Sequence, residues 1–120
     1  MEIYAQIYRE VKEENLAVSM KSGSLKVLAT PQMIAWMEEA SCLLDQTQEG
    51  WTTVGIYMES THDAPSPLGA RIRIVSHLVE KKGKISTFEV SAYMGDVCIG
   101  HGRHKRADVN AEKFMKRISQ

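Results

Sequence analysis

Cysteine is nearly absent from the chain, with Cys42 and Cys98 the only two. Two thiols so far apart supply neither a disulfide framework nor a metal cluster, so buried or partly buried free thiols in a reducing compartment are expected. The four histidines show no repeated ligand spacing, which argues against a structural metal site. No apolar run is long enough for a membrane span. The opening Met1-Glu2-Ile3-Tyr4-Ala5-Gln6 lacks the apolar core of a signal peptide, so cytoplasm is the expected location. Charge of one sign is missing too. Lys plus Arg number 15 and Asp plus Glu number 15, so nothing global draws the protein to nucleic acid or to a membrane surface. Proline occurs three times and phenylalanine twice, as Phe88 and Phe114.

What remains is an ordinary globular composition, 43% hydrophobic and 25% charged over 120 residues. That length makes one domain with its own core and leaves no room for a second, so residues 1–120 are expected to fold as a unit. No internal repeat or low-complexity stretch appears.

The chain is organised around one helical pattern. Thr30 followed by Pro31 reads as an N-cap and a first-turn proline. Met33, Trp36, Met37, Ala40, Leu43 and Leu44 then recur at helical spacing as one apolar stripe, to about Gln48 before Gly50. Residues 3–12 suit a strand or a leading arm. Leu16–Met20 alternates and predicts a strand. After Gly50 everything reads as strands. In 51–62 the set Val54, Ile56, Met58, Ser60 and His62 is expected to face the core, and Asp63–Gly69 is a stiff, proline-bearing loop. Ala70–Glu80 turns inward with Ala70, Ile72, Ile74, Ser76 and Leu78, leaving Arg71, Arg73 and His77 outside. Ile85–Met94 does so with Phe88, Val90, Ala92 and Met94. Lys81–Lys84 and Gly95-Asp96 are turns, Val97–Lys105 is a strand, and Asn110 caps a short terminal helix. The class is α+β: an antiparallel sheet of about five to six strands with one long helix on one face.

Four places carry chemical interest. Glu38 lies at the margin of the apolar stripe, where it is either a surface carboxylate or, if the sheet wraps far enough to bury it near a histidine, a base or nucleophile. His62 sits at a strand end against the rigid loop, as a strand-end histidine or a proton carrier. Thr30 is first a helix cap. It stands eight residues from Glu38, about 12 Å along the axis, so the two do not meet directly within one helix. Either a substrate spans them or a second subunit supplies one. In Ile99-Gly100-His101-Gly102-Arg103-His104-Lys105-Arg106, the alternate glycines leave room for a ligand or a helix. Arg103, Lys105 and Arg106 form a basic patch suited to phosphates or to guarding a sheet edge.

These residues resemble a known family. Ser24-Leu25-x-Val27-Leu28-Ala29-Thr30-Pro31-x-Met33-Ile34-Ala35-x-Met37-Glu38 is similar to the signature segment of small hot-dog-fold thioesterases related to the fluoroacetyl-CoA-specific thioesterase. Three further blocks match in order: Thr53-Val54-Gly55 leading to His62-x-Ala64-Pro65-x-Pro67, then Ile99-Gly100-x-Gly102-x-His104-x-Arg106, then Glu112-Lys113-Phe114. The match runs over about residues 14–115. It implies a helix wrapped by an antiparallel sheet, homodimers or tetramers with acyl-CoA sites at the subunit interface, and hydrolysis of the thioester without a metal or bound cofactor. The family's catalytic threonine, glutamate and histidine fall on Thr30, Glu38 and His62, and its pocket glycine and arginine on Gly55 and Arg106. Pro65 and Arg103 lie in the matched blocks and are expected on the substrate side. One departure stands out. The fluoroacetyl-specific enzyme has a longer, Phe-bearing lid before its threonine, whereas Ser22-Gly23-Ser24-Leu25 is short, so the resemblance carries the hydrolytic residues and not the fluoroacetyl selectivity. Two other readings stay open: a non-catalytic acyl-CoA sensor or carrier, and a hot-dog dehydratase or hydratase.

Overall fold

The computed structural model describes residues 2–119. Five antiparallel strands, β1 (Ile3–Glu10), β2 (Trp51–Ser60), β3 (Arg71–Lys82), β4 (Ile85–Met94) and β5 (Val97–Asn110), form one sheet in the order β1-β3-β4-β5-β2. Three helices accompany it: α1 (Ala17–Met20), α2 (Thr30–Cys42) and α3 (Ala111–Ile118). Helix α2 packs mainly over β3 and β4.

The core lies between α2 and the inner sheet face, where Met33, Trp36, Met37 and Ala40 meet Ile72, Ile74, Phe88, Val90, Ala92 and Ile99. Each large apolar side chain removed from water here contributes on the order of 1.5–3 kcal/mol. The period-two alternation of β3 and β4 therefore fixes their register, because a one-residue slip would turn that whole set outward. Both hairpins turn on glycines in the left-handed region, Gly83 at φ 61° and Gly95 at φ 60°. Only β3, β4 and β5 are joined by tight turns. β2 runs at the sheet edge beside β5, and the 61–70 loop carries the chain across to β3.

Several elements differ from the sequence-based expectation. Leu16–Met20 is no strand. Leu16 makes an isolated bridge to Leu28, and Ala17–Met20 coils into a single helical turn closed by Lys21 at φ 58°. Ala17 and Val18 donate their N–H groups to the carbonyls of Val27 and Leu25, so the folded-back 21–28 segment takes up the bonds a sheet would have supplied. Helix α2 stops at Cys42 rather than Gln48, followed by tight turns in which Leu43 and Leu44 donate to Ala40 and Ser41. Cys42 is exposed there and Cys98 is partly buried.

The largest difference is in β2. Gly55 pairs with Arg106 and Tyr57 with Lys105, so Ile56 is an extra residue forming a β-bulge. Before the bulge Thr53 and Gly55 face inward; after it Met58 and Ser60 do. Ile56, expected in the core, is 51% exposed. The inserted residue shifts the alternation by one, which a uniform period of two could not reveal.

Candidate active site

Helix α2 begins with Ala29, not Thr30, at the cap position, its backbone extended at φ −71° and ψ 137°. This frees the Thr30 hydroxyl, and Oγ1 hydrogen-bonds His62 Nδ1 at 2.6 Å. His62 is delivered by the 61–70 loop. The loop is tied to β5 through the N–H of Thr61 to the carbonyl of His101, and to the segment before α2 through the N–H of Leu28 to the carbonyl of Ser66. The rigidity expected from Pro65 and Pro67 is used here, with Pro67 bridging Val27. Thr30, His62 and Pro65, together with Leu28 and Ala64, line a cavity of about 260 Å³. Burial lowers the His62 pKa from its ordinary 6.5, with neighbouring Asp63 opposing the shift. Its Nε2 is buried and has no hydrogen-bond partner among the described residues.

A second cluster gathers around Gly55, midway along the edge strand β2. A Cβ placed on Gly55 would lie 3.3 Å from His104 Cε1, 3.5 Å from Arg106 Nη1 and 3.7 Å from Glu38 Oε2. The missing side chain therefore leaves a gap bounded by those three groups. Glu38 is half-buried at the edge of the stripe, as the helical wheel indicates. Arg106 is buried and immobilised. Nε donates to Thr53 Oγ1 at 2.8 Å, Nη2 to the Thr53 carbonyl at 3.0 Å, and Nη1 to His104 Nε2 at 3.2 Å. His104 in turn donates from Nδ1 to the Tyr57 carbonyl at 2.8 Å, while Thr53 donates to Asp45. These bonds require His104 to be the neutral Nδ1–H tautomer. Its pKa is lowered, first by burial and further by the Arg106 guanidinium, against the Tyr57 carbonyl and Glu38.

The structure thus joins Thr30 with His62 and Pro65, and Glu38 with Gly55 and Arg106, but does not join the two groups. Thr30 and Glu38 are separated by the length of two helical turns. Arg103 stands apart from both. The strand alternation that turns Arg106 inward sends Arg103 to the outer face, where it pairs with Glu89. Nor is the room beside Gly100 and Gly102 free for a ligand. A Cβ on Gly100 would lie 2.9 Å from the Met33 side chain, and one on Gly102 would collide with the backbone of Glu59 and Ser60. Of the two openings, helix or ligand, the helix and the edge strand take the space. Thr53 and His104, which hold Arg106, escaped the sequence reading as functional residues. Thr53 was assigned to the wrong face by the unseen bulge. The signal for His104 was its place two residues before Arg106 on one strand face.

Comparison with known proteins shows which family the chain falls in. The family model described as fluoroacetyl-CoA-specific thioesterase matches residues 11–112. The chain belongs to that family. The fluoroacetyl-CoA thioesterase of Streptantibioticus cattleyicolor is 31% identical over 97 residues, spanning 79% of this chain and 70% of that protein. A solved structure of the fluoroacetyl-CoA thioesterase superposes with a TM-score of 0.92 at 25% identity, covering 100% of this chain and 95% of the other. A thioesterase superfamily member from Thermus thermophilus superposes with a TM-score of 0.88 at 26% identity, covering 98% and 91%. Membership in the fluoroacetyl-CoA-specific thioesterase family makes the chain an acyl-CoA thioesterase on a hot-dog fold, with α2 as the wrapped helix. A variant of the fluoroacetyl-CoA-specific enzyme, 25% identical with a TM-score of 0.86 over 95% of this chain, was solved in complex with fluoroacetate and CoA.

Proposed function

We propose that the protein hydrolyses a short or modified acyl-CoA thioester at a site completed by a second copy of the chain, with Thr30, Glu38 and His62 as its catalytic residues and Gly55, Arg106 and Pro65 around the acyl group. The reaction adds water across the thioester, releasing a carboxylic acid and the coenzyme A thiol. It needs a nucleophile, a proton carrier and donors for the oxyanion. The observation that carries the reading is the split of the expected set into a Thr30–His62 pair and a Glu38–Gly55–Arg106 cleft, about 12 Å apart along α2. A homodimer that brings β2 edges together would set the pair of one copy toward the cleft of the other, and β2 is an edge strand with Ile56 and Tyr57 exposed.

Within the cleft, Glu38 activates water or attacks the carbonyl directly. Arg106 has five N–H donors, of which three are committed to Thr53 and His104. The two remaining donors supply an oxyanion contact that is rigid before substrate arrives. His62 shuttles the proton to the departing thiolate. The 2.6 Å contact with Thr30 also favours a second assignment, in which His62 takes the Thr30 proton and the threonine attacks. The short 22–25 segment supports a wider acyl range than fluoroacetyl. Two free cysteines fit a reducing cytoplasm, and no helix is long and apolar enough to cross a membrane among the described residues.

Steady-state thiol release from an acyl-CoA panel by wild type, Glu38→Gln, Thr30→Ala and His62→Ala tests the roles. Wild-type rates in Glu38→Gln remove that residue from the chemistry. A protein that binds acyl-CoA by calorimetry but releases no thiol is a sensor or carrier instead.

A further inference from the structure

Arg106 is a buried cation and Asp45 a half-buried anion, and among the described residues neither takes part in an ion pair. One hydroxyl joins them. Arg106 Nε donates to Thr53 Oγ1 at 2.8 Å, and Thr53 Oγ1 donates to Asp45 Oδ2 at 2.8 Å. The direction of both bonds is forced. A guanidinium has only donors, an ionised carboxylate has only acceptors, and a hydroxyl has one proton to give. We propose that Asp45 is a positioning residue for the hydrolysis. Through the Thr53 hydroxyl it supplies the counter-charge of Arg106 and keeps the guanidinium on its own side of the cleft, away from Glu38. The inference rests on the reading of Glu38 as base or nucleophile and of Arg106 as the oxyanion donor.

Taking a guanidinium out of water is costly unless an opposite charge compensates it. Two successive bonds of 2.8 Å hold the Asp45 carboxylate within about 6 Å of Arg106, close enough to favour the charged form. A carboxylate in direct contact would do so more strongly, but it would occupy two parallel N–H donors in the usual fork. The relay uses Nε alone. Nη1 and Nη2 each give one proton to His104 or Thr53 and keep one free.

Glu38 is the anion that would otherwise be drawn in. Its Oε2 and Arg106 Nη1 border one gap, 3.7 Å and 3.5 Å from where a Cβ on Gly55 would lie, yet the two side chains form no ion pair. Glycine leaves nothing between them. With Asp45 removed, a guanidinium lacking its counter-charge turns toward Glu38 and ties up the carboxylate that the reaction needs. The relay is fixed at both ends. The N–H of Asp45 donates to the Cys42 carbonyl at 3.1 Å in the turn that ends α2. Thr53 lies on the stretch of β2 before the bulge, which turns its hydroxyl inward with Gly55.

The test compares wild type with Asp45→Asn, Thr53→Val, Thr53→Ser and the double variant Asp45→Asn/Thr53→Val. Asp45→Asn keeps an acceptor for the hydroxyl and removes the charge from a half-buried position outside the core. Thr53→Val removes the hydroxyl itself. Each of these two is expected to lower kcat for thiol release from an acyl-CoA about tenfold while KM stays within about twofold. Thr53→Ser is expected to regain most of the kcat lost in Thr53→Val. The double variant is expected to fall no further than Thr53→Val, because both changes break one relay. In nitrogen-resolved NMR the Arg106 Nε–H is expected to exchange with water about tenfold faster in Asp45→Asn and in Thr53→Val than in wild type. Wild-type kcat in Asp45→Asn, a loss confined to KM, or additive losses in the double variant overturns the proposal. Should wild type release no thiol from any acyl-CoA, the catalytic reading falls, and unchanged Nε–H exchange would still show that Asp45 does not hold Arg106.

Discussion

His104 and Arg106 project from the same face of β5 and share one hydrogen bond at 3.2 Å, with the guanidinium donating and the imidazole Nε2 accepting. The other ring nitrogen is spent on the Tyr57 carbonyl. One fully buried, neutral ring therefore links the bulge in the edge strand to the arginine of the cleft. His104→Ala is expected to destabilise the fold by about 2–4 kcal/mol, since it opens a cavity and strips partners from two buried polar groups. It is also expected to lower kcat, because Arg106 loses its brace. His104→Gln restores an acceptor for Arg106 and is expected to regain part of kcat, measured beside urea unfolding of each variant. Equal kcat in wild type and His104→Ala would show that the brace is immaterial.

His62 and His104 both have folded-state pKa values below the ordinary 6.5, chiefly because burial disfavours their charged forms. The unfolded chain then binds more protons than the folded one on the acid side. Their contribution to stability is present above pH 6.5 and is lost as pH falls through the depressed folded values. Urea midpoints measured from pH 7.5 down to 5.5 are expected to fall, with a shallower slope in His104→Gln. A midpoint that rises on acidification contradicts the sign.

The same shift sets the acid limb of the rate. His62 works as a base only when neutral, so kcat/KM rises with pH and levels off through a pKa below 6.5. Residual activity in His62→Ala is expected to lose that limb. A wild-type limb centred above pH 7 would assign the titration to another group.

The glycines of β2 and β5 should separate function from folding. Gly55→Ala meets side-chain atoms at 3.3 Å or more, so its cost in stability is expected to stay below about 1 kcal/mol while the added methyl intrudes on the cleft and lowers kcat/KM. Gly102→Ala drives a Cβ to 1.8 Å from the Glu59 carbonyl oxygen, and backbone cannot give way as a side chain can. It is expected to unfold the protein or shift its Tm down by many degrees in calorimetry. A well-folded Gly102→Ala would contradict the close approach of the two strands.

The site proposed here to be shared between two copies requires a dimer. Ile56→Lys puts a charge on an exposed position of the edge strand. Sedimentation is expected to show dimeric wild type and a monomer-shifted variant with reduced activity. A wild type that is monomeric and fully active would dismiss a site shared between copies.

The sheet and its helix were largely legible in the sequence, and the reason is burial. Ile72, Ile74, Phe88, Val90 and Ala92 alternate because one face meets α2, and Met33, Trp36, Met37 and Ala40 repeat because that face of the helix meets them. Legibility failed where backbone geometry or a distant partner decides. Leu16–Met20 alternates like a strand, but its backbone bonds go to Leu25 and Val27, and a helical turn results. Thr30 has the chemistry of a cap and is diverted to His62 by a loop more than thirty residues on. For the candidate site, Thr30, Glu38, His62 and Arg106 stood out from their places in the sequence pattern, while their expected roles, and Gly55, came from the family resemblance. The separation of Thr30 from Glu38 came from helix geometry. Thr53 needed the coordinates, since the bulge that turns it toward Arg106 leaves no mark in hydrophobic periodicity, whereas His104 shares the Arg106 face of β5 by simple alternation.

That bulge makes β2 a strand written in two frames. Up to Gly55 its inward letters spell the cleft, and from Met58 onward they spell the core, with Ile56 as the single residue that changes the frame. Deleting one residue there would preserve composition, hydropathy and strand propensity almost unchanged, yet it would turn either the cleft or the core set to the wrong side. The spacing within β2 is thus as much a part of the site as the residues that line it, and among relatives a length change in this strand should be rarer than substitution at its exposed positions.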